Sequence, residues 1–587
     1  MQNVPLPGYN PANLINGSKY KSMQKRWAQK HNPDINAVKE LSAQLGINEV
    51  LGGLLLQRGI FTYEEARYFF RPDVRHLHDP FLMAGMEQAI DRIDTAIQAG
   101  EKILIYGDYD VDGTTAVTVV YGFLKKLYSQ LEYYIPDRYK EGYGISTQGI
   151  DYAAENGFTL IVALDCGIKS VDKVAYANTK NIDFIICDHH TPGDELPDAV
   201  AVLDPKRADC EYPYKELSGC GIGFKLIQAY AQKHDMPFEE VAQYLDLVVT
   251  SIACDIVHIT GENRTLASHG LHKLNTQPST GIKTLMDLAG KTANYSIADI
   301  VFTIGPRINA AGRIDDAKHS VELLLADDID LAKEKGMLIS VKNTERKEHD
   351  LAITDEALSM IAADVIMQER KSTVVFNENW HKGVIGIVAS RLTEKYYRPT
   401  IVLTRSNGHV AGSARSVVGF DLYEALCGCS DLLLQFGGHK YAAGLTMRPE
   451  QVEAFTHRFE EVVSATITEQ QLTQEIQIDA ELQLAQITPK FFRVLTQFGP
   501  FGPENMCPVF ISKQVSTYGG VNMVGSNHIK MTVYQNGSSL FDCIAFNQGE
   551  CIEQIRLGKP FDICYTIEEN IWRDKRSIQL NIKGIRC

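Results

Sequence analysis

Between about residues 80 and 205 the apolar residues of this chain come in short runs separated by stretches of helical spacing. The runs Lys102–Tyr106, Glu132–Ile135, Thr159–Leu164, Asp183–Cys187 and Ala199–Leu203 read as buried strands; Gly149–Asn156 and Val171–Thr179 read as helices between them. That alternation predicts a parallel sheet with helices on both faces. The pattern then changes. Residues 326–365 are helix-forming throughout, with Leu331, Leu338 and Val341 set among charges, which predicts a long exposed connector. Residues 366–467 return to strand and helix, opening with a strand at Ser372–Phe376. Residues 468–587 hold short runs at Ser516–Val524, Ile529–Tyr534, Ser539–Phe546, Asp562–Ile567 and Ile578–Ile585, which suits a small closed barrel of the oligonucleotide-binding (OB) type. Residues 1–75 are mostly helical in pattern and show no chemistry. The predicted fold class is therefore α/β, with two α/β domains at 76–325 and 366–467, a connector helix and a C-terminal β-barrel.

The ends of the first set of strands carry the acids. Asp108, Asp110 and Asp112 follow Lys102–Tyr106, ahead of a helix expected over Thr114–Leu127. Asp165 ends the next run, and Asp188, His189 and His190 follow Phe184–Cys187. A helical stretch, Phe238–Cys254, runs into Asp255. Parallel sheets keep their ligands at the carboxyl edge, so Asp110, Asp112, Asp165 and His189 can converge there. Acids this close repel unless a cation lies between them. Carboxylates with one or two His suit Mn²⁺ or Mg²⁺ better than Zn²⁺ or Cu²⁺. An EF-hand is excluded because the twelfth loop position is Val119, and a P-loop because no Lys follows Gly113.

In the second α/β domain, Gly383 and Gly386 in Trp380–Ala389 let backbone approach a ligand at a helix start, where free N–H groups favour anions. Gly437, Gly438 and His439 offer the same, beside Arg415 and His381. Arg307, Asn309 and Arg313 read as further phosphate contacts. On the barrel, Tyr518, Tyr534, Phe541, Phe546 and Trp572 form a pool of base-stacking candidates, with Lys530, Arg573, Lys575 and Arg576 along a backbone track.

Composition narrows the setting. The 587 residues are too many for one core, and no stretch resembles a leader or a membrane span. Twelve cysteines without a C-x-x-C pair fit reduced thiols, so a cytoplasmic protein is expected. The net charge of −15 argues against a nucleic-acid coat protein. Acids and bases nevertheless balance over residues 471–587, which leaves local basic surfaces open.

The ordered series Asp110-x-Asp112, Asp165-x-Gly167, Asp188-His189-His190 and Asp255 resembles the DHH phosphoesterases. The likeness runs from Leu54 nearly to the C-terminus. It includes Tyr134–Gly144, Leu217–Gly223, Gly305–Arg313, Trp380–Ala389, Ser413–Ser416, Gly437–Gly444 and Phe498–Asn505. It implies a DHH domain over 76–325, a DHHA1 domain over 366–467 and an OB-fold at 468–587. It further implies two divalent cations, Mn²⁺ or Mg²⁺, with Asp110 and Asp112 each on one ion and Asp165 bridging. His189 and Asp255 would complete one ion's ligands, and His190 would face the phosphate. Many relatives have His where Tyr106 stands, which leaves Asp108 open as either a direct ligand or a base behind one, whereas Asp188 is expected to orient a ligand. Ser413 joins Gly437, Gly438, His439, His381 and Arg415 as implied phosphate contacts.

The activity implied is two-metal hydrolysis of phosphodiesters by an exonuclease that digests single-stranded DNA from the 5′ end in repair and recombination. Its implied partners are a single-strand-binding protein and a repair helicase, with no membrane. One rival is a small-substrate DHH enzyme acting on short oligonucleotides or cyclic dinucleotides, which would have no use for the barrel. The other is a non-catalytic DNA-binding relative, which would lack ligands that are all present here.

Overall fold

The computed structural model describes residues 25–572 and 575–587, the side chain of Trp572 excepted; Arg573 and that side chain lie outside the described residues. Strand β1 (Arg26–Gln29) is followed by helices Ile35–Leu45, Glu49–Leu56 and Tyr63–Phe70. Asp34 and Asn48 cap the first two, and Thr62 with Glu65 forms a capping box on the third.

Every strand expected between residues 102 and 203 forms. β2 (Lys102–Gly107), β3 (Leu131–Tyr134), β4 (Phe158–Leu164), β5 (Asp183–Cys187) and β6 (Ala201–Leu203) make one parallel sheet in the order β3-β2-β4-β5-β6. Alternate residues of β2 serve opposite cores: Ile103 and Ile105 face one layer of helices, Leu104 and Tyr106 the other. A strand buried on both faces needs a continuous apolar run, which is why these runs were legible. One boundary differs. The helix after β2 begins at Val111, not Thr114, because Asp110 caps it through Gly113 N at 3.1 Å. Thr114 and Thr115 lie inside it, their hydroxyls donating to the Asp110 and Val111 carbonyls.

The connector is one helix, Ile329–Ala363. It leads to β7 (Thr373–Phe376), β8 (Thr400–Ser406), β9 (His409–Arg415), β10 (Gln435–His439) and β11 (Ala442–Met447), ordered β10-β11-β9-β8-β7. Gly437, Gly438 and His439 thus sit on an exposed edge strand. A Cβ on Gly438 would lie 2.4 Å from the Ala442 carbonyl oxygen, so only glycine lets β10 pair this closely.

The C-terminal part contains β12 (Glu475–Ile478), β13 (Ala480–Glu481), β14 (Phe510–Thr517), β15 (Asn522–Val524), β16 (His528–Tyr534), β17 (Phe541–Ala545), β18 (Phe561–Trp572) and β19 (Lys575–Arg586). The ring β14-β18-β19-β17-β16 closes through β14–β16 pairing, giving the five-stranded barrel. Its first strand starts at Phe510, earlier than the expected Ser516. Phe541 is only 5% exposed and belongs to the barrel core, so it is withdrawn from the stacking candidates; Tyr518 and Phe546 are exposed.

The N-terminal helices have no core of their own. Leu51, Leu54, Leu55 and Ala66 share one with Phe498, Phe510, Val533 and Tyr565, and β1 pairs in parallel with β12. Arg264, from helix Gly261–Thr276 of the first domain, clamps this unit in place. It donates to the carbonyls of Phe69 (3.0 Å), Phe498 (2.8 Å) and Gly499 (2.8 Å), and its guanidinium lies 3.7 Å from the Phe69 ring centre. Burial pulls its pKa down to about 9. Arg264→Ala leaves those carbonyls unmet and is expected to destabilise the docked unit by about 3 kcal/mol. A lower urea midpoint for the first unfolding step checks this; an unchanged midpoint would contradict it.

Candidate metal centre and anion cradle

The acids are held by the same contacts that shape the strand ends. Gly113 must be glycine, since a Cβ there would lie 2.4 Å from the Asp108 carbonyl oxygen. This close turn places Asp112 in the first helical turn. Its Oδ1 accepts from Cys220 N (2.7 Å) and Ser251 Oγ (2.6 Å), and its Oδ2 from Gly219 N (2.7 Å). Gly219 starts helix Gly219–Lys233 directly against the site; a Cβ there would meet the Asp165 Cβ at 2.6 Å. Asp165 follows β4 in left-handed backbone (φ 59), and Asp255 caps the end of helix Leu245–Cys254.

These elements converge on His189. Its Nε2 lies 3.2 Å from Asp165 Oδ1, 3.5 Å from Asp255 Oδ2 and 3.7 Å from Asp112 Oδ2. Neither ring nitrogen has a hydrogen-bond partner among the described residues, and the same holds for buried Asp108 Oδ2. Burial, then repulsion from neighbouring aspartates, pushes the carboxyls of Asp108, Asp110, Asp165 and Asp255 upward. Burial also lowers His189, favouring the neutral imidazole a metal needs. Orphaned donors among repelling carboxylates fit divalent cations. Asp112, His189 and Asp255, and likewise Asp165, His189 and His190, offer ligand atoms within 4.8 Å of one another.

Asp188 serves a different end. Its Oδ2 accepts from Ile168 N, and its Oδ1 from His189 N and from His190 Nδ1 at 2.7 Å. Burial would raise Asp188, but these bonds and the His190 charge outweigh it and hold the carboxyl at about 2. Burial would lower His190, but Asp188 overcomes it and lifts the imidazole to about 9. The imidazolium's Nε2 stands 3.1 Å from Tyr143 Oη.

A second concavity is lined by Arg138, Arg313, Lys382, Arg415, Ser413 and Gly437, with no carboxylate among its lining residues. Arg313 donates to the Gly383 carbonyl at 3.1 Å, and Arg415 to Ser413 Oγ at 3.2 Å. Burial, then the repulsion of Arg138, Arg346 and Arg415, pulls Arg313 down to about 10. Of the sequence-expected contacts, Arg313, Ser413, Arg415 and Gly437 line this cradle. Gly438 and His439 continue the same edge strand, and His439 lies within electrostatic reach of His190. His381 accepts from Gly383 N and stacks on His349, shaping the loop instead of lining the cradle. Arg307 and Asn309 do not line it. Six helical residues separate Arg307 from Arg313, so they point to different faces, and Arg307 donates to the Thr303 and Leu288 carbonyls.

Sequence reasoning missed Arg138 and Tyr143, which lie within the Tyr134–Gly144 motif but carried no role. It also missed Lys382 and Asp204. Asp204 follows β6 and is wholly buried, with Oδ2 unpartnered among the described residues; burial lifts it to about 7. The strand-end rule, applied to Ala199–Leu203, would have found it.

Three family models match this chain: the DHH family N-terminal domain over residues 102–252, the DHHA1 domain over 360–465 and the RecJ OB domain over 478–584. The chain is 40% identical to the single-stranded-DNA-specific exonuclease RecJ of Bacillus subtilis, across 95% of this chain and 70% of that protein. It is 32% identical to the protein of the same name from Escherichia coli, across 86% and 90%. The fold matches the crystal structure of RecJ in complex with Mn²⁺ from Thermus thermophilus (TM-score 0.82, 26% identity, 96% of this chain and 79% of that one). It also matches an exonuclease RecJ bound to manganese (TM-score 0.58, 31% identity, 66% and 96%).

The electrostatics set two expectations for metal-free protein. Carboxyls raised in the fold make it lose stability as pH rises through their folded values, and a cation offsets that loss. Mn²⁺ should therefore raise the thermal midpoint more at pH 8 than at pH 5.5, and Asp165→Asn should remove most of the rise; an undiminished rise would contradict the site. At a concentration of 100 Kd one site contributes about 2.7 kcal/mol. The His190–Asp188 pair stabilises fully between the two unfolded values, 3.8 and 6.5, and its contribution is lost as pH rises through about 9 or falls through about 2. The stability difference between wild type and His190→Asn should follow that window.

Proposed function

This chain belongs to the RecJ family of DHH phosphoesterases, and from that premise we propose that it is a single-stranded-DNA-specific exonuclease hydrolysing phosphodiesters from the 5′ end. The observation that carries this reading is the pairing of a buried acid–His cluster with a cradle of cations that contains no acid. Asp110, Asp112, Asp165, His189 and Asp255 would hold the metals, with Asp108 completing the acidic wall. When bound, two Mn²⁺ or Mg²⁺ ions would supply charge neutralisation and a water acidic enough to react at neutral pH.

The remaining work falls to the protein. Asp188 keeps His190 charged and fixes its ring, so that Nε2–H can be given to a phosphate oxygen as charge develops. Arg313 and Arg415 grip a second phosphate of the strand, and the backbone at Gly437, where a Cβ would meet nothing within 4 Å, leaves room for its oxygens. Backbone donors from Gly219 and Cys220 keep Asp112 from turning away when the metal leaves. No covalent enzyme intermediate is needed. The exposed Tyr518 and Phe546 of the barrel would stack unpaired bases.

We place the enzyme in the cytoplasm, where a single-strand-binding protein would guide it and a repair helicase would supply its strands. Among the described residues no helix is long and apolar enough to cross a membrane. The small-substrate reading is disfavoured by the barrel, an extra binding module for which a dinucleotide has no use.

Single strands labelled at the 5′ or 3′ end, and matched duplexes, test the proposal with Mn²⁺, Mg²⁺ or chelator. The 5′ label should be released first, duplex should be cut far more slowly, and chelator should abolish turnover. First products from the 3′ end would contradict the polarity, and equal rates on a dinucleotide would favour the small-substrate enzyme. Arg415→Gln should lower kcat/KM on single strands by about 10- to 100-fold, as expected for one charged hydrogen-bonding contact.

A further inference from the structure

The residue after Asp255 is strained without an internal reason. Ile256 occupies left-handed backbone, φ 60, one position past Asp255, the cap of helix Leu245–Cys254. Glycine or asparagine is the usual solution there, and a β-branched side chain is the least suited. Burial does not offset the cost, for Ile256 is 64% exposed. Its neighbour Val257 packs on the core instead. Asp255 and His190 are where the metal centre opens: their side chains are 29% and 33% exposed, against 1% for Asp112 and 3% for Asp165. An apolar side chain is thus held outward at the mouth of the site.

A second irregularity lies against the same helix end. Residues Ile300–Ile304 form a π-helical turn, a geometry concentrated at functional sites, and its Phe302 is 77% exposed. Gly305, directly after the turn, leaves no room for a side chain, since a Cβ would lie 2.4 Å from Cys254 Sγ. Two strained or irregular segments therefore meet at the last turn before Asp255, and each exposes a large apolar group.

We propose that Ile256 and Phe302 form an apolar rim that receives an unpaired base beside the scissile phosphate. This rests on the nuclease reading of the site. A free base offers its π-face to such a rim, whereas a base within a duplex is already stacked on its neighbours. The rim would then contribute to single-strand preference independently of the cation cradle.

The test compares wild type, Ile256→Gly, Ile256→Asn and Phe302→Ala on an intact single strand and on one made abasic at its first nucleotides. The glycine and asparagine variants relieve the strain, so their thermal midpoints should equal or exceed wild type, with an unchanged Mn²⁺-induced rise. On the intact strand kcat/KM should fall about tenfold, the loss expected when one aliphatic contact is removed. On the abasic strand wild type and variants should be equal. Variants that lose activity equally on both strands, or whose Mn²⁺ response shrinks with activity, would show that Ile256 merely places Asp255 and would overturn the rim. Variants as active as wild type on the intact strand would overturn it too. Failure of the nuclease reading would appear separately, as wild type that leaves single strands intact.

Discussion

Buried carboxylates that repel one another and share one neutral imidazole are the constraint on which this structure depends. Asp108, Asp112 and Asp165 are out of water, Asp110 is half-buried beside them, and the three oxygens nearest His189 Nε2 lie between 3.2 and 3.7 Å from it. Such a group survives folding only because backbone and hydroxyl donors are fixed upon it. Gly219 N, Cys220 N and Ser251 Oγ on Asp112 are the clearest case. Those donors come from the start of helix Gly219–Lys233 and the last turns of helix Leu245–Cys254, which share the larger core of the first domain, so the site is tied to the packing of that core. The residual repulsion is what a pair of divalent cations would relieve.

The opposite charge is concentrated across the cleft. Arg138 and Arg313 come from the first domain, and Lys382 and Arg415 from the second domain. One polyanion touching both the acids' metal and this cradle would bridge the domains that the Ile329–Ala363 helix holds apart. The barrel and N-terminal helices form a third body on a shared core. It is locked to the first domain by a buried arginine that bonds only to backbone carbonyls among the described residues. Chemistry and strand-holding are thus divided among separately stabilised units.

Much of this was legible because the sheet is buried on both faces. Continuous apolar runs marked the strands, and the residue after each run marked the site, as Asp165 and Asp188 show. Tertiary contacts decided the rest. Asp110 starts its helix early because its carboxylate finds Gly113 N, which no periodicity reveals. Arg307 looked equivalent to Arg313, but helical geometry turns it to another face. Phe541 and Phe546 fall in one expected strand, yet β17 ends at Ala545, so Phe541 faces the barrel core while Phe546 lies in the turn beyond it. The strain at Ile256 has no sequence signature, because a left-handed φ belongs to the folded backbone and leaves no trace in hydrophobic periodicity.

Anomalous diffraction from crystals of the chain grown with Mn²⁺ tests the account most directly. Two peaks should appear at the carboxyl edge of the sheet, with Asp165 between them and His189 and Asp255 beside one of them. Manganese elsewhere, or a vacant acid cluster at saturating Mn²⁺, would contradict it.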